Sequence, residues 1–253
     1  MLPVMGIEEL EAAAALSWRA LEEERLGEWR LRAAEGFTGR ANSALAIGDP
    51  GLSLAEAAHA VRRWYQARAL PAMIAIPYPL GRPDRGRLDR LLGEHGWEVR
   101  ARPIAVMAGD AAAIAREARP APWPVDLDSE PSDAWLAMYH YLGQETPPLA
   151  RKLLTSAPWQ EFAAVRAGRD VVAIGRVAGA GEWAGLTAIE VDPGYRRRGL
   201  ARAVTAALAG VAVGRGATGL YLQVESHNIA ARALYRRAGF ADHHAYHFRV
   251  ARD

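Results

Sequence analysis

The segment DPGYRRRGLA, residues 192–201, decides how the chain is organised. Pro193 cannot donate a hydrogen bond to a sheet, so the strand before it ends there and the chain turns into a helix that begins near Gly199. The first turn of a helix has unpaired N–H groups and the positive end of the helix dipole. Gly199 has no Cβ and Ala201 has only a methyl group, so a bulky anion can approach the backbone. With three arginines at 196–198, the segment predicts a diphosphate site, and a solvated basic turn is the alternative.

The pattern around this segment occurs twice in the chain. Asp49-Pro50-Gly51 matches Asp192-Pro193-Gly194 at an offset of 143 residues, and Gly96-Trp97 matches Gly239-Phe240 at the same offset. In both copies a strand ends at the Pro-Gly turn, a helix and a strand follow, and a short helix stops at a glycine. We infer an internal duplication.

The two copies differ at the start of the helix. At the offset of 143, residues 53–58 of the first copy correspond to residues 196–201 of the second. The first copy has Ser53 followed three residues later by Glu56, a capping box that satisfies the first N–H groups of the helix with side chains of the protein. Only the second copy is expected to leave its helix start open to an anion.

Strand and helix patterns alternate along both halves, which is typical of an α/β protein. The proline-rich segment Glu117–Pro124 is the best linker candidate, and it divides the chain into predicted domains 1–118 and 119–253. Helices are predicted at 6–25, 54–69, 87–95, 132–142, 148–155, 199–213 and 228–237, and strands at 29–33, 43–47, 71–76, 97–107, 125–128, 161–167, 171–177, 183–191, 219–224 and from 240.

Composition excludes several classes of protein. The 253 residues contain 31 Lys and Arg, 29 Asp and Glu and no Cys, which excludes thiolate catalysis, cysteine-based zinc sites and disulfides. Lys152 is the only lysine, and basic and acidic residues are interspersed, so we expect no nucleic-acid partner. The N-terminal sequence has acidic residues and no basic segment before an apolar one. We therefore expect no signal peptide, no membrane partner and a cytoplasmic protein.

Two motifs in the second half resemble those of the GNAT acetyltransferase superfamily. The acetyl-CoA signature of that superfamily is Arg or Gln, two residues, Gly, one residue, and Gly or Ala, which Arg196, Gly199 and Ala201 match. The run 228–240 resembles the second motif, because it begins with Asn, has Tyr seven residues later and ends with Gly-Phe. The resemblance covers residues 125–252 in the order of the elements.

This resemblance implies a fold, an activity and a set of binding residues. The fold class would be α/β (α+β), with two tandem GNAT-like domains, each a mixed, mostly antiparallel twisted sheet flanked by helices, the first of them degenerate. The protein would move an acetyl group from acetyl-CoA (coenzyme A) to a small-molecule or peptide amine, and a homodimer stays open. The residues that the resemblance assigns to acetyl-CoA are Ile189, Val191, Arg196, Arg197, Arg198, Gly199, Leu200, Ala201, Arg202, Asn228 and Tyr235.

The chemistry requires few side chains. A strand N–H, that of Val191, is expected to stabilise the negative charge on the thioester oxygen. Tyr235 is the candidate general acid for the leaving thiolate, and a helix aromatic packed in the core is the alternative. Some relatives place a Glu at the position that matches Gln223, and Gln cannot act as a base. Glu190 is therefore the candidate base, with Glu225 behind it, although either could be a plain strand residue and a water chain could serve instead.

Two other clusters of polar and aromatic residues are not expected to form functional sites. His243, His244 and His247 resemble a set of metal ligands, but His243 and His247 would share one face of a strand about 13 Å apart, too far for one ion, so we expect no metal. A second cluster lies at the end of the first helix of the second half, which borders the acceptor site in this superfamily by resemblance. This cluster consists of Tyr139, His140, Tyr141, Gln144 and Glu145. We expect these to be half-buried helix residues rather than acceptor contacts.

The acceptor itself is not encoded in a recognisable motif. Mycothiol synthases are also tandem GNAT proteins, so transfer to the amine of an aminoacyl sugar is one alternative. The absence of a Glu at position 223 motivates another, a non-catalytic acyl-CoA sensor or scaffold. The first half could form a wall of the acceptor cleft, because ligand sites favour domain interfaces.

Overall fold

The computed structural model describes residues 5–81, 86–118, 121–140 and 146–252. The elements of the first half are α1 (Ile7–Ser17), β1 (Glu22–Leu26), β2 (Trp29–Ala33), β3 (Ala44–Leu45), α2 (Leu54–Gln66), β4 (Met73–Pro79), α3 (Arg87–Glu94), β5 (Trp97–Asp110) and α4 (Ala111–Arg116).

The second half repeats much of this order. Its elements are β6 (Val125–Asp128), α5 (Asp133–Met138), α6 (Ala150–Leu154), β7 (Trp159–Ala167), β8 (Asp170–Ala180), β9 (Trp183–Val191), α7 (Leu200–Gly214), β10 (Gly219–Glu225), α8 (Ile229–Arg237) and β11 (Ala241–Ala251).

All strands of the described part join one 11-stranded sheet in the order β1-β2-β3-β4-β11-β5-β10-β9-β8-β7-β6. Two neighbouring pairs are parallel, β3 with β4 and β9 with β10, and the other pairs are antiparallel. These parallel pairs occupy equivalent places in the two halves. The predicted fold class, a mixed and mostly antiparallel sheet flanked by helices in each half, is confirmed.

The last strand of each half lies in the sheet of the other half. β5 pairs with β10, where Met107 lies opposite Leu222, and β11 pairs with β4, where Phe248 lies opposite Ala75. β5 and β11 also pair with each other at the middle of the sheet. The two halves therefore share a continuous set of backbone hydrogen bonds, and the predicted division between residues 118 and 119 stays a prediction.

Helices cover both faces of the sheet. Alternate residues of β10 point to opposite faces, as expected for a strand. Leu222 packs in a core cluster with Val204 of α7, and Tyr221 packs in a different cluster with Leu10 of α1. In the described part of the chain, no helix is long and apolar enough to cross a membrane.

The structure corrects two local predictions. The first helix ends at Ser17, and residues 22–26 form strand β1 instead of continuing the predicted helix 6–25. This strand lies at the edge of the sheet with its glutamates exposed, which gives it no apolar alternation to recognise. Sequence reasoning also missed α4, which begins at Asp110 with a side-chain cap on the N–H of Ala113.

Candidate functional site

The strands β9 and β10 separate at their carboxyl ends. They pair with each other only from Trp183 opposite Gly219 to Leu186 opposite Leu222, although β9 stays paired with β8 and β10 with β5 beyond this point. β9 contains a bulge just beyond this point. Between the pairs Thr187–Arg176 and Glu190–Ile174, β9 advances by three residues while β8 advances by two. Ala188, within the bulge, has a φ of 53°. The bulge turns β9 away from β10 and opens a gap between the two strands.

The backbone of Val191 faces this gap. The N–H of Asp192 donates to the carbonyl of Val172 on β8 at 3.0 Å, and Val191 lies opposite Ala173. N–H groups of an antiparallel strand point alternately toward and away from the partner strand. The N–H of Val191 therefore points away from β8 and into the gap.

The helix that starts beside the gap has no side-chain cap. Its N-cap is Gly199, in the left-handed conformation with a φ of 81°, and a Cβ built there would meet no atom within 4 Å. The 15-residue helix α7 therefore presents its first N–H groups to open space. The N-cap of α2 is Ser53, whose hydroxyl accepts from the N–H of Glu56 while the Glu56 carboxylate accepts from the N–H of Ser53.

These two caps correct the positional match made from the sequence. Ser53 follows Gly51 by two residues, whereas Gly199 follows Gly194 by five, so the second loop is longer and Gly199 corresponds to Ser53 rather than to Glu56. This loop contains Tyr195 and the three arginines at 196–198, where the first copy has only Leu52. Among them Arg197 has a φ of 60°, a left-handed conformation that turns the chain into the helix.

A cleft of about 900 Å³ lies between the gap and the start of α7. Arg196 donates through Nε to the carbonyl of Val191 at 3.3 Å, and Arg202 pairs with Glu117. The side chain of Arg197 has no hydrogen bond or ion pair with the described residues and is available to an anion. Nine of the residues assigned to acetyl-CoA by resemblance line this cleft, namely Ile189, Val191, Arg196, Arg197, Gly199, Leu200, Ala201, Arg202 and Asn228.

Arg198 and Tyr235 do not line the cleft. The guanidinium of Arg198 lies over the ring of Tyr195 at 5.2 Å and donates to the carbonyl of Gly194 at 3.4 Å. Tyr235 packs against the core, with its ring 5.9 Å from that of Phe240. Burial raises the pKa of Tyr235 to about 12, so its phenol keeps the proton throughout the physiological range.

Glu190 lies on β9 at the edge of the cleft, beside the end of α5. Its carboxylate accepts from the backbone N–H of His140 at 3.2 Å, and the His140 ring lies 3.6 Å from its other oxygen. Burial raises the pKa of Glu190, and the contacts with His140 offset part of that rise. A half-buried carboxyl with a raised pKa is suited to accepting a proton.

Gln223 and the alternative base, Glu225, contact other side chains. The Gln223 Oε1 accepts from the hydroxyl of Tyr246 at 3.3 Å, and Glu225 pairs with the ring of His227 at 3.2 Å. Asn228 caps α8 by accepting from the N–H of Ala231 at 3.0 Å, which places it at the lip of the cleft.

The clusters that the sequence singled out have other partners. His243 contacts the carbonyl of Met5, and His247 contacts Asp89, so the two rings face different groups. Within the described residues, no group of three or more His, Asp and Glu side chains could hold a metal ion. Tyr139 is buried in a cluster with Trp135, and the remaining members, Tyr141, Gln144 and Glu145, lie outside the described residues.

A mixed sheet whose parallel strands open at a bulge, beside an uncapped helix start, defines an acetyltransferase of the GNAT type. The comparisons with known proteins agree. The chain belongs to the family described as "Probable histone acetyltransferase Rv0428c C-terminal", which matches residues 5–249. The resemblance seen in the sequence motifs is confirmed.

Two relatives that match almost all of this chain support the assignment. The chain is 26% identical over 250 residues to "Uncharacterized N-acetyltransferase YobR" of Bacillus subtilis, covering 97% of this chain and 99% of that protein. It is 30% identical over 252 residues to "Probable histone acetyltransferase Rv0428c" of Mycobacterium tuberculosis, covering 94% of this chain and 72% of that protein.

Solved structures show the same fold at lower identity. A GCN5-related N-acetyltransferase from Kribbella flavida superposes with a TM-score of 0.73 at 18% identity, over 98% of this chain and 97% of the other. A tandem GNAT protein from the clavulanic acid biosynthesis pathway superposes with a TM-score of 0.64 at 14% identity, over 88% of this chain and 78% of the other.

Proposed function

We propose that the second half binds acetyl-CoA and transfers its acetyl group to a primary amine. The observation that carries this proposal is the uncapped start of α7, which offers free N–H groups to a cleft that also contains the unpaired guanidinium of Arg197. A diphosphate satisfies both, because it accepts several hydrogen bonds and carries the charge that a helix N-terminus favours. The N–H groups from Arg197 to Arg202 are the proposed donors.

The gap between β9 and β10 is the proposed path of the pantetheine arm. The backbone of Ile189 to Val191 lies along it, and Asn228 lies at its lip. Acetyl-CoA supplies the activated acyl carbon. The N–H of Val191, which points into the gap, stabilises the negative charge that develops on the carbonyl oxygen when the amine attacks.

Proton transfer is assigned to two side chains. Glu190 takes a proton from the incoming ammonium and releases it to solvent, since the reacting nitrogen must be uncharged to attack. Tyr235 gives its proton to the departing sulfur and regains one from the nitrogen of the collapsing intermediate. The high pKa of Tyr235 fits a donor that is protonated before the reaction and is reprotonated at once.

Calorimetry and turnover together test this proposal. Titration with acetyl-CoA is expected to show one site per chain, and a panel of primary amines is expected to release free coenzyme A only with an accepted amine. Binding of two equivalents would mean that the first half also holds the donor. No binding at millimolar acetyl-CoA would reject the site.

Turnover of an amine acceptor distinguishes an acetyltransferase from a non-catalytic acyl-CoA sensor. The family and one relative carry the name of a probable histone acetyltransferase, so a lysine-containing histone peptide belongs in the amine panel with amino sugars and aminoacyl amines. A non-catalytic acyl-CoA sensor is favoured by Gln223, whose side-chain oxygen is occupied by Tyr246 and which cannot act as a base. Tight binding of coenzyme A without turnover of any amine would support the sensor.

A further inference from the structure

A histidine lies between the candidate base and solvent. His140 follows the end of α5, and its side chain is 53% exposed, whereas that of Glu190 is 29% exposed. His140 lines the cleft at the start of α7 and also a neighbouring cavity of about 560 Å³, whose wall includes Leu136 and Arg151. The imidazole therefore lies in the wall that the two spaces share, next to the carboxylate of Glu190.

Two parts of His140 contact the carboxylate of Glu190, one at each oxygen. The backbone N–H donates to Oε1 at 3.2 Å, and Nδ1 of the ring lies 3.6 Å from Oε2. The backbone contact needs no imidazole, so it holds the carboxylate in place whatever the ring does. The ring contact is an ion-pair distance, and a small rotation of this exposed side chain brings it within hydrogen-bonding range. The two contacts can therefore be separated by changing the side chain alone.

The ring also acts on the charge of Glu190. Burial raises the pKa of this carboxyl, and the contacts with His140 lower it. Two charged groups of the neighbouring cavity, Asp133 and Arg151, pair with each other at 2.7 Å. The charged groups that the cleft contributes are Asp192, Arg196, Arg197 and Arg202. Among the described residues of both walls, His140 is the titratable group in contact with Glu190.

The burial of Glu190 makes the release of its proton a separate requirement. A carboxyl with a raised pKa accepts a proton readily and gives it up less readily, yet it must be ionised again before the next amine arrives. Imidazoles as a class gain and lose a proton near neutral pH, so an exposed one in contact with the carboxyl offers a route outward.

We infer that His140 completes the proposed base by carrying the proton of the acceptor from Glu190 to solvent. The acceptor ammonium first gives a proton to Glu190, whose O–H bond forms as the N–H bond breaks. The carboxyl then passes this proton to Nδ1 of His140, and the imidazolium releases a proton to water from its exposed side. Glu190 is left as a carboxylate and the ring as a neutral imidazole. His140 acts through Glu190 and is a positioning residue, so this inference rests on the proposed function.

His140→Asn tests the inference, because the amide of Asn still donates to a carboxylate but cannot take up a proton. We expect kcat to fall about 10-fold, less than in Glu190→Gln, since water can still take the proton from Glu190 slowly. The acidic limb of kcat/KM against pH should move to higher pH, because the ring no longer lowers the pKa of Glu190. Added imidazole should restore most of the lost kcat. Acetyl-CoA affinity should stay constant, which shows that the variant is folded.

His227→Asn is the matched control. His227 pairs with Glu225 at 3.2 Å beyond the end of β10, and its side chain is 45% exposed, so it forms the same kind of pair. Neither residue is among the described residues that line the cleft. The variant should keep the kcat and the pH profile of the unmodified protein. A response to His227→Asn without one to His140→Asn would assign the base to Glu225 and overturn the inference.

The remaining outcomes separate this inference from the proposed function. Unchanged kcat in His140→Asn overturns the inference, and so does a loss of kcat with an unmoved acidic limb and no restoration by imidazole. In both cases a loss of kcat in Glu190→Gln leaves the proposed function standing. If the unmodified protein neither binds acetyl-CoA nor turns over any amine, the proposed function and the inference are both rejected.

Discussion

The helices α2 and α7 follow the same Asp-Pro-Gly turn, but only α7 has no side-chain cap on its first N–H groups. Ser53 and Glu56 satisfy the start of α2 from within the chain, whereas Gly199 leaves the start of α7 bare beside a large cleft. The scaffold thus tolerates either solution. The proposed ligand site therefore depends on the absence of a capping side chain at Gly199, and not on an additional element of the fold.

Other paired positions differ in the same direction. At the offset of 143 residues, Tyr235 corresponds to Leu92, which is completely buried, and Glu190 corresponds to Ile47, which packs against a small apolar cluster. The first half has apolar side chains where the second has candidate proton carriers. Each prediction below removes one of these differences.

Gly199→Glu is expected to have the largest effect, because it adds a carboxylate where the diphosphate is proposed to bind. Acetyl-CoA affinity should fall about 1,000-fold, the cost of losing two or more charge-assisted hydrogen bonds. The fold should survive with a loss of about 1 kcal/mol from the left-handed backbone, since a Cβ meets open space there. Calorimetry measures the affinity and urea unfolding the stability.

Gly51→Glu is a control in the first half, at a glycine two residues before the N-cap of α2. Gly51 also has a positive φ, of 71°, and its Cβ would make only an ordinary contact, so the backbone cost is similar. Affinity for acetyl-CoA should not change. A large loss in this variant, or unchanged affinity in Gly199→Glu, would contradict the assignment of the site to α7.

Glu190→Gln is expected to lower kcat about 300-fold, because the base that deprotonates the acceptor is lost. In the unmodified protein kcat/KM should fall as the pH drops below the pKa of Glu190, since only the carboxylate accepts a proton. Burial raises that pKa, so the decline should begin at a higher pH than for an exposed Glu. A pH profile of both proteins checks this, and an acidic limb that persists unchanged in the variant would assign it to another group.

Tyr235→Phe brings the second half closer to the first, which has Leu92 at this place. We expect kcat to fall about 100-fold while KM for acetyl-CoA stays constant. Because the phenol has a pKa of about 12, no loss of activity from its ionisation is expected below about pH 11. Unchanged kcat in this variant would show that the ring serves only the core.

Ser53→Ala is expected to have the smallest effect and to act on stability alone. Loss of the N-cap of α2 should lower the free energy of unfolding by about 1 kcal/mol, with acetyl-CoA affinity unchanged. Hydrogen bonds from Ser53 lower the pKa of Glu56, so the contribution of Glu56 to the cap is present at neutral pH and lost as the pH falls through that pKa. Urea unfolding at neutral and acidic pH measures both. A change in affinity would mean that the two helix starts are not independent.

Much of the fold, and the residues that line the candidate cleft, could be predicted from the sequence because both depend on local rules. Proline, glycine and the apolar periods located the strands and helices. The small residues Gly199 and Ala201 beside three arginines predicted an anion site at the start of a helix. The bulge at Ala188 has no such signal, since alanine rarely adopts a positive φ. The contacts of Arg40 and Arg176 with the ring of Trp18 were also missed, because these residues meet only through tertiary packing.

The place of β5 and β11 in the sheet could not be predicted for a different reason. Both strands have the apolar alternation that either neighbour would accept, so β4 and β10 are equally suitable partners by pattern. The choice between these partners depends on the tertiary arrangement of the whole chain, which cannot be predicted from any short segment.

The interchange of these two strands gives the first half a structural role beside the gap. β10, which forms one side of the gap, is bordered on its other side by residues 104–110 of the first half. Without the first half, β10 would keep a free edge on the side away from the gap. The backbone that frames the proposed acetyl-CoA site therefore depends on hydrogen bonds from both halves of the chain.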